Sequence, residues 1–200
     1  MQSSWKITPF LLLLLLSLIL STFSLPLESR LLGIVHNPAV PKVENHDDHF
    51  FLDDNAFRDT MLHEHNALRR EHGVGQLTWD PVLANYAEAH AHKCEWGHSY
   101  GPYGENIAAH QNLGGAAWVA TAWGPNERAK YDYGPGPHPI ELMHFTQMVW
   151  RGSERVGCAR KKCLGMNVFA PEFQPWYTVC EYFPPGNYPG QFVQNVPRPV

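Results

Sequence analysis

Apolar residues recur at helical spacing over the first part of the predicted domain. The first such stretch follows Asp54 and Asn55, which can cap a helix, and continues until Gly73 ends it. The second begins at Asp80 and Pro81, because aspartate is a good N-cap and proline suits the first helical position. The predicted apolar faces are Phe57, Met61, Leu62 and Leu68 in the first helix, and Val82, Leu83, Tyr86, Ala87, Ala91 and Cys94 in the second.

Shorter elements are predicted in the second half of the chain, where glycine and proline interrupt the periodic pattern. The residues between Gly134 and Pro139 form a rigid loop, since alternating glycine and proline cannot continue a helix or a strand. Helices precede and separate the strands without a repeated strand–helix–strand order, so the predicted fold class is α+β. The predicted elements are a strand at Gly104–Ala109, helices at about Ala116–Lys130 and Met143–Trp150, and antiparallel strands at Arg155–Cys163 and Trp176–Phe183.

The N-terminal segment has the pattern of a secretory signal peptide. Lys6 is its only charged residue, and the apolar run Phe10–Leu20 is followed by the small residues Thr22 and Ser24. The run is shorter than the roughly 20 apolar residues that span a bilayer, and no second run follows. We therefore predict a signal peptide at residues 1–24, a secreted, extracellular protein, and no integral membrane span after cleavage. An uncleaved anchor is the alternative.

Composition then limits the organisation and the partners of the mature chain. Residues 25–55 show no helical or strand period, so we predict a flexible leader there, one domain at residues 56–196 and a tail at 197–200. Removing Lys6 lowers the count of basic side chains from 15 to 14 against 19 acidic ones, a formal charge of −5. Because no basic tract is present either, nucleic acid is not an expected partner.

The four cysteines, in an oxidising compartment, predict two disulfides. They are Cys94, Cys158, Cys163 and Cys180, and four cysteines allow three connectivities. In a strand at Arg155–Cys163, Cys158 and Cys163 point to opposite faces, which disfavours a bond between them. Two connectivities remain open on this argument.

Several short motifs together resemble the CAP superfamily, the cysteine-rich secretory, antigen 5 and pathogenesis-related-1 proteins. The resemblance implies a three-layer α-β-α sandwich and favours the disulfides Cys94–Cys163 and Cys158–Cys180. The motifs are His65-Asn66-x-x-Arg69, Leu77-Thr78-Trp79-Asp80, His98-Ser99, Gly104-Glu105-Asn106, His144-Phe145-Thr146-Gln147-Met148-Val149-Trp150, and the run from Cys180 to Gln191.

The same resemblance implies a central cleft with two histidines and two glutamates. Here these positions are His98, Glu105, Glu127 and His144. Two neutral imidazoles from separate elements can ligate Zn²⁺, and carboxylates can orient the rings. The alternative is a hydrogen-bond network that orders the loops.

Enzymatic activity is not predicted for this cleft. The chain contains neither His-Glu-x-x-His nor Gly-x-Ser-x-Gly. Ser99 is better explained as a loop hydrogen-bonding residue than as a nucleophile. A metal-dependent hydrolase remains the minor alternative. Among the other histidines, His63, His90 and His92 are predicted to be solvated, whereas His65 is predicted to be structural.

A ligand-binding loop is predicted from Tyr131 to Met143. In yeast-type members of the superfamily, the corresponding loop is associated with sterol binding, so Tyr131, Tyr133, Pro135 and Pro137 are candidate contacts for a sterol or another small hydrophobic ligand. The chain ending resembles the fungal branch more than the plant branch. This implies a role in host–microbe interaction or lipid export, with a host or cell-surface protein as a further possible partner.

The C-terminal segment is a candidate for proteolytic release. Plant members of the superfamily carry a signalling peptide at the corresponding position, and the cleavage would fall between Phe183 and Pro184. The released fragment would extend from Pro184 to Val200. Glu181 replaces the asparagine that is usual in this motif.

Overall fold

The structure, a computed structural model, describes residues 53–111, 115–167, 169–170 and 172–200. The predicted signal peptide and the leader as far as residue 52 lie outside the described residues. The elements are α1 (Asp54–Glu71), β1 (Thr78–Trp79), α2 (Pro81–Ala91), β2 (Gly104–His110), α3 (Gly115–Trp123), α4 (Pro125–Arg128), a 3-10 turn (Ile140–Leu142), α5 (Met143–Met148), β3 (Arg155–Lys162), β4 (Trp176–Phe183) and α6 (Phe192–Asn195).

Both predicted N-terminal helices are present, with two corrections. The cap of α1 is Asp53, one residue before the predicted position, and its carboxylate accepts from the backbone N–H of Asn55 at 2.8 Å. Helix α2 begins after Asp80 as predicted, but Val82 is 63% exposed and not part of the buried face. Successive residues of a helix are rotated by about 100°. Val82 therefore points away from the buried stripe, which starts at Leu83.

The predicted helix at Ala116–Lys130 is wrong as a single element, because it breaks into α3 and α4 at Gly124 and Pro125. Proline lacks the N–H that would continue the hydrogen-bond series. A side chain at Gly124 would place its Cβ 2.9 Å from the Ala120 carbonyl oxygen and 2.9 Å from Leu68 of α1, so the chain between α3 and α4 has little room for a larger residue. Helix α5 is also shorter than predicted and ends at Met148.

The four strands form one sheet in the order β1-β3-β4-β2. Strands β3 and β4 pair antiparallel as predicted, with Cys158 opposite Cys180, and β2 pairs antiparallel with β4. Strand β1 was not predicted as a strand. It is two residues long and pairs in parallel with Arg155 and Val156 of β3, which is too short to show a period of two in the sequence.

Two apolar cores lie on the two faces of this sheet and make three layers. Cys180 and Tyr182 of β4 pack with α1, α3 and α5. Tyr177 and Val179, at the alternate positions of the same strand, pack with Ala87 and Ala91 of α2. The fold is therefore the predicted α+β sandwich with helices on both sides of the sheet.

The disulfides are Cys94–Cys163 and Cys158–Cys180, which confirms the pairing that the resemblance favoured. They connect residues 69 and 22 positions apart in the chain. In the chain-entropy account such links stabilise the folded state by about 4 and about 3 kcal/mol. The first attaches the end of α2 to the end of β3, and the second joins the two central strands.

The His-Asn-x-x-Arg motif of α1 is part of the scaffold. The Arg69 guanidinium is fully buried and donates to the carbonyls of Met148, Trp150 and Ser153 at 2.8 to 3.0 Å. Burial lowers the pKa of Arg69 to about 10. His65 is buried as predicted, and its Nε2 accepts from the Tyr182 hydroxyl at 2.7 Å. These bonds fix α1 to the segment after α5 and to β4.

Candidate functional site

The first predicted cleft histidine forms a pair with the first predicted glutamate. Nδ1 of His98 lies 2.6 Å from Oε1 of Glu105, at the start of β2. The backbone N–H of Ser99 also donates to Glu105 Oε1, at 2.9 Å. The His98 side chain is 51% exposed and that of Glu105 only 6%, so the imidazole forms the surface of the pair and the carboxylate its base.

Ser99 has the loop role that was predicted for it. Its hydroxyl oxygen accepts from the backbone N–H of Gly101 at 3.3 Å, within the loop that leads to β2. Its backbone N–H supports Glu105. Both bonds order the loop, and neither prepares the hydroxyl as a nucleophile.

The second predicted histidine and glutamate form a matching pair. Nδ1 of His144, in the first turn of α5, lies 2.7 Å from Oε1 of Glu127 in α4. The other carboxylate oxygen of Glu127 accepts from the Phe145 backbone N–H at 3.0 Å, one of the N–H groups that the start of a helix leaves without a helical partner. Trp123 stacks on the His144 ring with centroids 5.5 Å apart.

Strand β2 is in contact with both pairs. Asn106 follows Glu105 and points to the opposite face of the sheet. Its side-chain amide donates to the His144 backbone carbonyl at 3.1 Å and to the Tyr182 hydroxyl at 3.1 Å. The start of β2 therefore carries Glu105 of the first pair on one side and contacts the backbone of the second pair on the other.

A second glutamate that sequence reasoning did not assign to the site lies beside Glu105. The register of β2 and β4 puts Glu181 directly opposite Glu105, on the same face of the sheet. Glu181 is fully buried, and neither carboxyl oxygen makes a well-formed hydrogen bond within the described residues. The replacement of the usual asparagine at this position was the only sequence signal for it.

The two facing carboxyl groups have opposite pKa shifts. Burial, together with the contact to the Glu105 carboxylate, raises the pKa of Glu181 to about 10. Burial would also raise the pKa of Glu105, but the hydrogen bonds from His98 and Ser99, together with the close contact of the Glu181 carboxyl group, outweigh it and lower that pKa to about 2. At neutral pH Glu181 is therefore a neutral acid beside an ionised Glu105.

His90 also belongs to this buried cluster, contrary to its predicted exposure. Its Nε2 lies 2.9 Å from the Gly97 carbonyl oxygen, 3.2 Å from the Tyr177 hydroxyl and 4.0 Å from Glu105 Oε2. His90 lies on the buried face of α2, together with Ala87 and Ala91. His63 and His92 are exposed, as predicted.

The arrangement of donors bears on the zinc prediction. A histidine that donates from Nδ1 to a carboxylate keeps Nε2 free as a metal ligand, and both pairs have this geometry. Catalytic zinc sites, however, use three protein ligands. Over the part of the chain that the structure describes, no group of three or more His, Cys, Asp or Glu side chains converges on a metal position. As placed, the four residues do not offer the three or more protein ligands of a zinc site, and zinc binding at them stays a prediction.

The polar pair of α5 holds the segment after β4. The Thr146 hydroxyl donates to Asn187 Oδ1 at 2.6 Å, and Gln147 Oε1 accepts from the Gly186 backbone N–H at 2.8 Å. The Ser153 hydroxyl donates to the Pro184 carbonyl at 2.9 Å. The residues just beyond the predicted Phe183–Pro184 cleavage point are therefore bonded to the domain.

The last residues are bonded to α1 as well. The Val200 backbone N–H donates to the Glu71 carbonyl at 2.9 Å, and Nδ1 of His72 lies 2.7 Å from the Pro197 carbonyl oxygen. The predicted tail at residues 197–200 thus packs on the end of the first helix. Release of the segment Pro184–Val200 would require all these bonds to break, and it stays a prediction.

The two tyrosines of the predicted ligand loop lie against the core. Tyr131 is 7% exposed, stacks on His138 with centroids 4.9 Å apart and meets the Phe145 ring edge-on at 5.3 Å. Tyr133 packs at right angles to Tyr131, and Arg198 lies 5.2 Å above its ring. Both rings support the loop from the inside.

An apolar groove lies between this loop and α6. Its volume is about 290 Å³. Phe192 forms part of its base and contacts the His138 ring at 4.5 Å, whereas Val193 is 58% exposed. Pro137 is exposed and is not among the lining residues. The lining residues are Pro135, Gly136, His138, Gly190, Phe192 and Val193.

Comparison with known proteins gives a consistent family match. The model of the cysteine-rich secretory protein family, CAP, matches residues 62–182. The chain is 44% identical over 137 residues to pathogenesis-related protein 1A1 of Solanum lycopersicum, and the match covers 66% of this chain and 73% of that protein. It is 40% identical over 148 residues to protein PRY2 of Saccharomyces cerevisiae, which covers 70% of this chain and 41% of that protein. Plant and yeast relatives are both present.

Solved structures share the architecture. The crystal structure of Na-ASP-1 aligns with a TM-score of 0.52 at 29% identity, over 67% of this chain and 40% of that one. The hookworm platelet inhibitor aligns with a TM-score of 0.57 over 74% of this chain and 79% of its own. Its identity to this chain is 19%, so this second match supports the fold alone.

Proposed function

The chain belongs to the CAP, or cysteine-rich secretory protein, family, and from that premise we propose that it is a secreted, non-enzymatic protein that binds sterols or other small hydrophobic ligands. The groove between the proline-rich loop and α6 is the observation that carries this proposal. Its volume of about 290 Å³ lies near the lower end of the roughly 300–1,000 Å³ that small-molecule sites occupy. A flat hydrocarbon ligand would therefore be held along one face and remain partly exposed.

The chemistry of the groove suits such a ligand. Pro135 and Phe192 offer rigid apolar surface, and the exposed Val193 adds a side chain whose burial by a ligand would be favourable. His138 is the polar group of the lining and could contact a ligand hydroxyl. Tyr131 and Tyr133, predicted as direct contacts, would act by keeping the loop in place.

Secretion is part of the proposal. It is supported by the sequence pattern of residues 1–24 and by two disulfides, which are typical of oxidising compartments. A relative of Candida albicans, 38% identical over 152 residues, is named secreted protein PRY1. The described residues contain no helix long and apolar enough to cross a membrane. Lipid export or action at a host interface, with a host or cell-surface protein as partner, would follow from a secreted lipid carrier.

A hydrolase and a peptide precursor have less support than this function. A hydrolase would need a metal-bound water or an activated nucleophile. The described cleft instead pairs each histidine with one glutamate and uses Ser99 within its loop. Both ends of the segment Pro184–Val200 are hydrogen-bonded to the domain, which disfavours its release.

A pair of matched valine substitutions tests the proposal. Val193 lines the groove and is 58% exposed, whereas Val82 on α2 is 63% exposed and lies outside the groove. We expect Val193→Asp to weaken binding of tritiated cholesterol or ergosterol at least tenfold, because a buried charge opposes an apolar ligand, and Val82→Asp to bind like the parent chain. Equal binding by both variants, or no saturable sterol uptake by the parent, would reject the proposed site.

A further inference from the structure

Within the described residues, the outer edge of strand β3 is unpaired beyond β1. Strand β1 covers only Arg155 and Val156, and the Asp80 backbone N–H donates to the Val156 carbonyl at 2.9 Å. Backbone N–H and C=O groups alternate sides along a strand, so those of Cys158, Arg160 and Lys162 point to the same edge as those of Val156. Among the described residues these groups have no backbone hydrogen-bond partner.

A groove runs along this edge. Its volume is about 440 Å³, within the range of ligand sites. One wall is the first turn of α1, the other is the outer side of α2, and β3 lies between them. It is separate from the groove at the proline-rich loop, because the two share no lining residue. The lining residues are Asp54, Phe57, Arg58, Trp79, Ala84, Asn85, Glu88, His92, Cys158, Ala159, Arg160, Lys161, Lys162 and Trp176.

The groove is basic although the chain is acidic. Four of its lining residues are Arg58, Arg160, Lys161 and Lys162, against the two carboxylates of Asp54 and Glu88. The whole chain has a formal charge of −4. The positive side chains are therefore concentrated where the strand edge is free, which favours an acidic partner.

Arg160 is prepared to bind an anion. Its guanidinium lies 4.5 Å from the Phe57 ring centroid and 5.3 Å from that of Trp176, so two aromatic faces hold it in place. Its Nη2 atom is buried and has no hydrogen-bond partner within the described residues. A buried donor without a partner is costly, and a small shift of the Arg160 side chain toward the groove would let a ligand carboxylate satisfy it.

We propose that this groove binds an extended acidic peptide of a partner protein, which adds a strand to β3 beyond the end of β1. The peptide backbone would bond to Cys158, Arg160 and Lys162, as in other complexes formed by strand addition. Side chains on alternate positions would place carboxylates near Arg160 and the lysines, and apolar groups on Trp79 and Trp176. The competing explanation is that lysines on an edge strand only prevent unwanted pairing.

Fluorescence anisotropy with defined peptides separates these explanations. The probe is a fluorescein-labelled octapeptide of alternating glutamate and valine, compared with the same peptide N-methylated at every residue and with a lysine–valine peptide. We expect saturable binding of the acidic peptide and at least a tenfold loss on N-methylation, which removes the backbone donors. No binding of the acidic peptide, or equal binding of its N-methylated form, would overturn the proposal.

Protein variants locate the binding. The double variant Lys161→Gln/Lys162→Gln should weaken acidic-peptide binding at least tenfold, because both lysines line the groove. The control Lys93→Gln/Lys130→Gln removes two exposed lysines outside it and should bind like the parent. An equal loss in both variants would show attraction by overall charge and would contradict a specific site. Thermal unfolding of each variant checks that it is folded.

Discussion

Glu181 lies in an environment that disfavours the ionised form of its side chain. It is fully buried opposite an ionised Glu105, and its pKa is raised to about 10. In the unfolded chain it would ionise near 4.5. Folding at neutral pH therefore requires Glu181 to take up a proton, and this opposes folding more strongly as the pH rises.

The sign of the pH dependence follows from the two shifts. Between about 4.5 and 10 the folded chain holds the Glu181 proton and the unfolded chain does not, so stability falls as the pH rises through that window. Glu105, whose pKa is lowered to about 2, stabilises the fold increasingly as the pH rises from about 2 to 4.5. Above that range it adds no further pH dependence to the stability. Above pH 5 this pair therefore makes the free energy of unfolding fall as the pH rises.

Replacing the acid by its amide tests this account. Glu181→Gln keeps a hydrogen-bond donor beside Glu105 and cannot ionise. We expect it to stabilise the fold by about 1–3 kcal/mol at pH 8 and to reduce the fall in melting temperature between pH 5 and pH 8. Glu95→Gln, at an exposed position, is the control. A melting temperature of Glu181→Gln that is lower than the parent's at pH 8 would show that the carboxyl group is needed as such.

The sequence named some residues of the site and missed others for a physical reason. His98, Glu105 and His144 occur in recognisable motifs, Glu127 was assigned from the family resemblance, and the structure joins the four as two pairs. Glu181 entered the site through the register of two distant strands. A local pattern holds no information about register, so its burial could not be predicted from its neighbours alone.

Helix α1 is held by one buried arginine as well as by its apolar face. Arg69 reaches the segment after α5 and the loop before β1, and every hydrogen bond that its side chain makes is to a backbone carbonyl. Those carbonyls lie in loops or in the last turn of α5, where they would otherwise need water or another donor. The planar guanidinium with several donors suits this task, whereas an ammonium group does not.

Arg69→Lys should therefore be strongly destabilising despite its kept charge. We expect a loss of about 3 kcal/mol or more in the free energy of unfolding, because several buried carbonyls lose their donor. Arg70→Lys, at the neighbouring exposed position, should change stability by less than about 0.5 kcal/mol. Chemical denaturation of both variants measures the difference. If both variants lose a similar, small amount of unfolding free energy, water must replace the hydrogen bonds of the Arg69 guanidinium.

The helices and strands were predictable where the hydrophobic pattern is long, and less predictable where glycine and proline interrupt the chain. The strand Trp176–Phe183 was predicted at its observed bounds. The helix from Ala116 was not, because the amphipathic pattern continues past Gly124 and Pro125 although the backbone cannot. Strand β1 is held by its parallel neighbour β3 and has too few residues to show a pattern of its own.

The contacts that hold the layers together and the two proposed binding grooves are formed largely by different residues. Two disulfides, the α1 motif and the bonds of α5 to the C-terminal segment hold three layers together. The two grooves lie outside this scaffold, one at the proline-rich loop and one along β3. The family resemblance could indicate the scaffold in advance, whereas grooves arise from loop conformations and strand ends that only the structure gives.

Photolabelling locates the hydrophobic ligand most directly. The mature chain is irradiated with a photoreactive, tritiated sterol analogue, digested, and its labelled peptides are identified by mass spectrometry. The account predicts label on the peptides that contain Pro135–Gly136 and Phe192–Val193, since both line the same groove, with the label suppressed by excess unlabelled sterol. Label confined to other peptides, or label that unlabelled sterol does not displace, would contradict it.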